Sequence, residues 1–446
     1  MNKLLEVYFK QSLRPLIGRR PPISVAARTE QAFYNPFYLA LLAFALSRVL
    51  IIAGFPMFVS DVEGLYFPTA VEWLLHGKAP YSELHFPYPP LALAIVGLPG
   101  LFSRQLEDYR FLFQICMLTV DCFGLWLLVR FLRSGFGLGN LKLSIAVWIY
   151  SILGLLCGSL LYDRLDLTLA VAFLAAVVTF KPNKGYGWGI YLALAIGFLI
   201  KIVPLIWAPF AAIADSIASQ RKRFEWRIFA RSLIFGIAAP LLVLKVLDIT
   251  FAGFVFKSLR DHLDRGIQIE SLWASPLLVL KLIDPSISLS IEFNFGSHHL
   301  AGEAVFPMYL VLSKWMGPVS IIVLLVIFTW VGLKRSGLSM RGCLDWVITV
   351  LLVWLVTARV LSPQFFIWLI PLLSASLAVT PSVTAMILSI LLFLLNFAVF
   401  PLGFAGIVAF DPLWVSALCA RNIVLISLAA LMLFRCTYRA KNNEMA

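Results

Sequence analysis

The chain has 446 residues, of which 61% are hydrophobic and only 13% charged, with a mean hydropathy of +0.92; that is far too apolar for a soluble globule. The formal charge of +13 invites a nucleic-acid reading, but the basic residues gather in the N-terminal tail, in SQRKRFEWRIFAR (219–231), in LKRSGLSMR (333–341) and in the C-terminal RCTYRAKN, each abutting an apolar run. Such clusters are cytoplasmic anchors under the positive-inside rule, and no basic stripe interleaved with aromatics lies in a soluble segment, so no nucleic-acid partner is expected.

The first 33 residues are polar and basic, without the pattern of a cleavable signal peptide, and are expected to form a cytoplasmic tail. The first span is expected near 34–57, followed by a first outer loop at 58–90. An apolar run at 91–103 is short for a crossing, and further spans fall near 109–132, 143–162 and 165–180. Residues 187–214 come next, interrupted by Lys201 and Pro204, then a span near 231–247 and a second, mixed outer region at 248–312. More spans follow near 314–333, 344–361, 366–379, 383–402 and 413–434. The expected fold is therefore an all-α polytopic integral membrane protein, a single domain over 1–446 with about eleven to thirteen membrane segments and short interfacial helices in its outer loops.

A basic N-terminus inside puts 58–90 outside, and the 219–231 cluster inside puts 248–312 outside, with both termini cytoplasmic. Between these anchors the signals conflict. Placing Arg130, Arg133, Lys142, Lys181 and Lys184 all inside requires either an extra crossing or that 91–103 does not cross. In the second case 187–214 divides into two short segments meeting near Lys201. The six cysteines lie in or beside apolar runs with no CxxC pair, so they read as small hydrophobes rather than disulfide or zinc ligands.

The most unusual stretch is SDVEGLYFPTAVEWLLHGKAPYSELHFPYPP at 60–90. Ser60 with Glu63 three residues on is a capping-box pattern, which predicts a helix start with Glu63 as the reciprocal cap. Leu65, Ala70, Val71, Leu74 and Leu75 give an apolar face, Trp73 suits the headgroup level, and Gly77 ends the helix. Asp61 then has two readings: an anion favoured in a first helical turn, or a carboxylate held at the membrane surface as a general base.

Other charges need an account. Lys201 stands inside an apolar run, where it either snorkels or has a partner or task. Arg260, His262 and Arg265 in the second outer region could clamp a lipid phosphate, although Arg265 with Glu270 could be a surface ion pair. His298 and His299 are adjacent, so they point different ways, and with no matched carboxylate spacing no metal site is assigned. Asp163 and Asp166 of DRLD (163–166) would share one helical face, either lining a cavity or closing a turn; Asp121 lies mid-span and must be paired, neutral or cavity-facing.

Asp61, Tyr66, Gly77 with APY at 79–81, YPPL at 88–91, LIKIVPLIWAPF at 199–210 and LSPQFFIWLIP at 361–371, taken in order, resemble polyprenyl-phosphate-sugar-dependent glycosyltransferases of the GT-C superfamily. The nearest likeness is to glycosyltransferase family 87, which includes bacterial mannosyltransferases acting on membrane glycolipids. The resemblance implies a GT-C-like bundle in the cytoplasmic membrane with its active site on the outer face. It also implies inverting transfer of a hexose such as mannose from a polyprenyl-phosphate donor to a lipid or glycan acceptor. By motif position Asp61 takes the base role, and Ser362 and Gln364 line the cavity. The expected donor-phosphate set is Lys201, Arg265, Arg260 and His262; the expected cavity or acceptor lining is Tyr66, Tyr81, Tyr88, Glu270, Gln364, Asp163 and Arg164.

No cofactor is required by this reading, no metal ligand is assigned, and the need for a divalent cation stays open. The chain carries no glycine-rich nucleotide fold and no D-x-D loop, which favours a lipid-linked donor. The rival class is a multi-pass transporter or flippase of a lipid-linked or polar substrate. Transporters commonly carry inverted repeats, and no second copy of the 60–90 pattern occurs. A non-catalytic scaffold leaves the polar outer loops unexplained.

Overall fold

A computed structural model describes residues 35–54, 61–182, 184–220, 223–246, 264–334 and 337–442. Over these residues the chain is mostly helical, and six helices are long and apolar enough to cross a membrane. The protein is a multi-pass integral membrane protein. The N-terminal tail, Ser60, Arg260 and His262 lie outside the described residues.

Helix α1 (Pro36–Gly54) carries Arg48 on a buried face. The first loop then opens with a π-helical turn (Val62–Tyr66) that runs directly into α2 (Phe67–Leu74). The expected loop helix is present, and Gly77 follows in the left-handed conformation, with φ +69°. The Asp61 side chain makes no capping hydrogen bond and Glu63 faces Arg110 at 3.3 Å; Ser60, the other half of the expected capping box, lies outside the described residues.

Helix α3 (Pro90–Gly100) has 11 residues, about 16 Å of rise against a hydrocarbon core of about 30 Å. It packs beside α2, where Gly97 leaves no room for a Cβ against the Trp73 ring. The Tyr109 hydroxyl fixes it to the next helix by donating to the Val96 carbonyl at 2.7 Å. That helix, α4 (Leu106–Phe136), crosses in full and stops at Gly137, φ +62°.

Helix α5 (Asn140–Leu155) returns, the short α6 (Leu160–Asp163) follows, and Arg164 is extended (φ −133°, ψ 152°) before α7 (Asp166–Thr179). Asp163 and Asp166 therefore do not share one helical face, because the helix is broken between them. Helix α8 (Trp188–Ile200) ends at an extended Lys201, and a 3-10 turn (Val203–Trp207) leads into α9 (Ala208–Gln220). Pro204 has no N–H to continue the ladder of α8. The two helices form a hairpin: Asp215 of α9 accepts from the Tyr186 N–H at 2.6 Å and the Tyr191 hydroxyl at 2.7 Å, beside the start of α8. The run at 187–214 thus divides at Lys201.

After α10 (Trp226–Val246) comes a feature that the all-α expectation did not contain. Strand β1 (Ile267–Gln268), helix α11 (Ala274–Ile283), and strands β2 (Ser290–Asn294) and β3 (Ser297–Ala301) build an antiparallel sheet in the order β1-β3-β2. The β2–β3 hairpin turns at Phe295 and Gly296, both with positive φ, as a tight two-residue turn requires. The remainder is helical: α12 (Pro307–Lys334), α13 (Met340–Thr357), a 3-10 turn (Pro363–Leu369), α14 (Ile370–Val379), α15 (Val383–Phe397), α16 (Phe404–Val408) and α17 (Pro412–Asn442). Ile267, Ile269, Leu278 and Leu300 seat the sheet on Val399, Ile407 and Leu418.

The connections sort to two ends. The first loop, the DRLD turn, the Lys201 break, the sheet and the turn at Pro363 lie at one end, joined by contacts described below. At the other end Arg133 lies 5.8 Å from the ring of Phe37 at the start of α1, and Lys142, Lys181 and Lys184 sit in connections of the same parity.

Inside the bundle Asp121 has the partner its position demands. Arg48 Nε meets Asp121 Oδ2 at 2.7 Å, and the Tyr150 and Tyr162 hydroxyls donate to the same carboxylate at 2.6 and 2.7 Å. The guanidinium also lies 4.5 Å from the Phe44 ring and donates to the Ser151 carbonyl. Four helical elements are thereby tied at one point. Removing one member of such a buried pair strands the other, typically at about 3–5 kcal/mol, whereas replacing both with apolar groups is far milder. Arg48→Met should therefore lower the detergent-solubilised protein's unfolding temperature sharply, and Arg48→Met with Asp121→Leu should recover most of it. Equal destabilisation by the single and double variants would show that the pair is not what holds these helices.

Candidate functional site

The site end gathers charges from segments far apart in sequence. Asp61, just ahead of the π-helical turn, is ion-paired with Arg164 of the DRLD turn. Its Oδ2 also faces the Tyr66 hydroxyl at 3.5 Å and the Tyr88 hydroxyl at 3.4 Å. The two phenols pack edge-on, with centroids 6.2 Å apart. Arg164 can reach Asp61 because the extended backbone at 164 turns it away from its two acidic neighbours.

Those neighbours go elsewhere. Asp166 accepts from Lys201 Nζ at 2.8 Å and from Trp368 Nε1 at 2.7 Å. Lys201 is thus paired rather than snorkelling, and its ammonium lies 4.8–5.8 Å from the rings of Phe365, Trp368 and Tyr88. This pairing joins the broken α8–α9 hairpin to the SPQFF turn. Asp163 points toward α4 and accepts from Gln114 Nε2 at 3.2 Å. Burial pushes its carboxyl up to about 7, with Gln114 and Arg110 acting against the shift.

The second outer region supplies the far wall. Glu270 is buried and accepts from Gln268 Nε2 at 2.7 Å, while its carbonyl receives the guanidinium of Arg421. Arg265 donates to the Phe295 carbonyl at 3.3 Å, and with Glu270 buried the alternative of a surface Arg265–Glu270 pair does not hold. Arg265 still bears electrostatically on Lys201 and Tyr88. Burial lowers the Arg164 guanidinium to about 10, with Asp166 and Glu270 holding it up, so it remains charged at neutral pH.

The other expected residues divide. Tyr66 and Tyr88 stand at Asp61. Tyr81 donates to the Tyr88 carbonyl at 2.9 Å and packs on Phe86, which makes it a brace for the loop. Gln364 is buried in the 3-10 turn behind Trp368. His298 packs between Phe293 and Phe404, whereas His299 is buried on the other side of β3, so the two do point apart. Among the described residues no cluster of three or more His, Cys, Asp or Glu side chains could hold a metal ion. Arg421 and Trp368 were not among the expected site residues, and Asp166 was expected only as lining a cavity or closing the DRLD turn. A charge inside the apolar run of α17 was the available signal for Arg421.

The arrangement can hold an anion and can take up a proton. Arg164, Lys201 and Arg265 converge on one end, and of the two carboxylates paired with Arg164 and Lys201 Asp61 is the more exposed: its side chain is 23% exposed, against 3% for Asp166. No family model matches the chain, and no curated protein matches it either. The likeness of its loops to family 87 therefore rests on the motifs alone.

Glu270 gives this environment a measurable signature. Burial raises its carboxyl from 4.5 to about 7, opposed by Arg421 and the Gln268 hydrogen bond. Below pH 4.5 the group is neutral folded or unfolded. As pH rises toward 7 the unfolded chain gives up this proton first, so stability falls, and it stays lowered above pH 7. Glu270→Gln should therefore raise the unfolding temperature at pH 8, by at most about 3 kcal/mol of stability. The gain should fade below about pH 5; a gain independent of pH would contradict an ionised, poorly solvated Glu270.

Proposed function

We propose that the protein is a membrane glycosyltransferase that moves a hexose, such as mannose, from a polyprenyl-phosphate donor to a lipid or glycan acceptor at the outer face, with inversion. The fold in this reading is a GT-C-like bundle of about a dozen membrane segments. The observation that carries it is the partly exposed Asp61 carboxylate set between two phenols and beside Arg164, Lys201 and Arg265. Transfer from a lipid phosphate needs these elements together: a base for the acceptor and cations for the departing phosphate.

The proposed step is a single displacement. Asp61 takes the proton of an acceptor hydroxyl, the oxygen attacks the anomeric carbon, and the bond from that carbon to the phosphate oxygen breaks. Polyprenyl phosphate departs with the electron pair, neutralised by Arg164, Lys201 and Arg265. Arg164 has a double part. Paired with Asp61 it holds the carboxylate in place but occupies the oxygen that an acceptor hydroxyl would approach. A donor phosphate is a strong bidentate partner for a guanidinium, so donor binding draws Arg164 off and frees Asp61. No step in this scheme requires a cofactor.

Asp61→Asn keeps size but cannot accept the proton, and loss of a general base typically costs about 10²–10⁴ in rate. With purified protein and a panel of polyprenyl-phosphate hexoses and lipid acceptors, Asp61→Asn should stay folded, bind donor and transfer little sugar. Glu63→Gln should keep its activity, since Glu63 faces Arg110 and not the phenols. Transfer by Asp61→Asn at the parental rate would make the loop a structural lid. A parent that transfers from no donor would bring the transporter reading forward.

A further inference from the structure

One face of the small sheet carries polar side chains whose hydrogen-bonding capacity the protein leaves unused. Gln268 and His299 are register partners across β1 and β3, and Asn294 and Ser297 are partners in the next row, across β2 and β3. Side chains alternate along a strand, so all four stand on the same face. The opposite face, through Ile267 and Leu300, is the one seated on the helices. Gln268 and His299 are only 4% and 2% exposed, yet Gln268 Oε1, His299 Nδ1 and Asn294 Oδ1 make no hydrogen bond. Buried polar groups are nearly always satisfied, and three idle ones on one face are what a bound ligand would complete.

The idle atoms define the ligand's chemistry. Gln268 Nε2 donates to the Glu270 carboxylate, which fixes the amide and leaves Oε1 as a pure acceptor. His299 Nε2 is engaged by the Ser297 hydroxyl at 2.7 Å, which leaves Nδ1 idle near the carbonyls of Gly266 and Asn294. Burial, then Arg265, push this imidazole down to about 4, so the ring is neutral at pH 7. Amide oxygens repel a phosphate or carboxylate, which has no proton to offer. A hydroxyl both donates and accepts, and it suits amide oxygens and a neutral imidazole alike. Glu292, opposite His299 on the edge strand, is exposed, so the His299 row reaches solvent at the β2 edge while Gln268 and His299 themselves are covered.

We propose that the Gln268–His299–Asn294 face is a hexose subsite that grips sugar hydroxyls by neutral hydrogen bonds. The proposal rests on the transferase reading above. Gln268 connects the face to the reacting end, since its partner Glu270 bears electrostatically on Arg164, the partner of Asp61. The hexose is either the donor's sugar or a sugar of a glycan acceptor, and the test separates these sources.

The test uses the purified full chain, with polyprenyl-phosphate hexoses and their monodeoxy analogues as donors, and intact or monodeoxy glycolipids as acceptors. Gln268→Met and, at the half-buried position, Asn294→Ala should each lower kcat/KM about tenfold with intact sugars, as loss of a neutral hydrogen bond implies. Against the one analogue that lacks the matched hydroxyl, the variants should equal the parent. Matching on a deoxy donor assigns the face to the transferred sugar, and matching on a deoxy acceptor assigns it to the acceptor; either result supports the subsite. An equal loss with every analogue, or lowered thermal stability with unchanged sugar preference, means that buried water fills the face and overturns the proposal. If the parent transfers no sugar at all, the transferase reading fails first. The face is then tested alone, by whether millimolar methyl hexosides raise the unfolding temperature of the parent but not of Gln268→Met; no shift in the parent overturns it.

Discussion

A charge inside an apolar bundle persists only with a partner, and in this protein each partner comes from a different part of the chain. Arg48 of α1 meets Asp121 of α4, Lys201 at the α8 break meets Asp166 of α7, and Asp61 of the first loop meets Arg164 of the DRLD turn. An unpaired ion at such depth would cost several kcal/mol. The pairs therefore select among the many ways in which greasy helices could pack, since apolar surface alone gives little direction in lipid. The three pairs are linked through the DRLD turn: Tyr162, which donates to Asp121, lies two residues before Arg164, the partner of Asp61, and Asp166, the partner of Lys201, lies two residues after it.

The same requirement explains why the polar chemistry collects at one end. The helix break at Lys201, the extended residue at Arg164 and the 3-10 turn at Pro363 each interrupt a helix, and each places a polar or aromatic side chain against Asp166 or Asp61. Irregular backbone at membrane depth is tolerated where it is packed in protein or lines a cavity. The sheet closes this end with a hydrophobic side on α15–α17 and a polar side bearing Gln268 and His299. Asp61 differs from Asp121 and Asp166 in keeping contact with solvent while held by one arginine and two tyrosines.

Much of the helical frame was legible in the sequence, because a span announces itself by length and hydropathy. The expected runs near 34–57, 109–132, 165–180 and 383–402 correspond to α1, α4, α7 and α15 with its continuation to Leu402. The conflict among basic residues was also informative: one of its two resolutions required the run at 187–214 to divide at Lys201, and the helix does break there. The sheet was not legible. Its strands are two to five residues long, and a two-residue strand such as Ile267–Gln268 has no periodicity to detect. Asp61, Arg164 and Lys201 could be singled out as charges that needed a reason, but their pairing could not, since Asp61 and Arg164 lie on separate segments whose meeting is set by the whole bundle. The DRLD acids were assigned to one face because a continuous helix was assumed there, and the break at Arg164 removes that assumption.

The central claim is that Asp61 drives a single inverting displacement on a lipid-phosphate sugar. The most direct measurement is the anomeric configuration of the product by NMR, after purified protein is incubated with a β-linked polyprenyl-phosphate hexose and a membrane glycolipid acceptor. The account predicts an α-linked product, formed without a covalent sugar–protein intermediate. A β-linked product, or a sugar trapped on the protein, would contradict it.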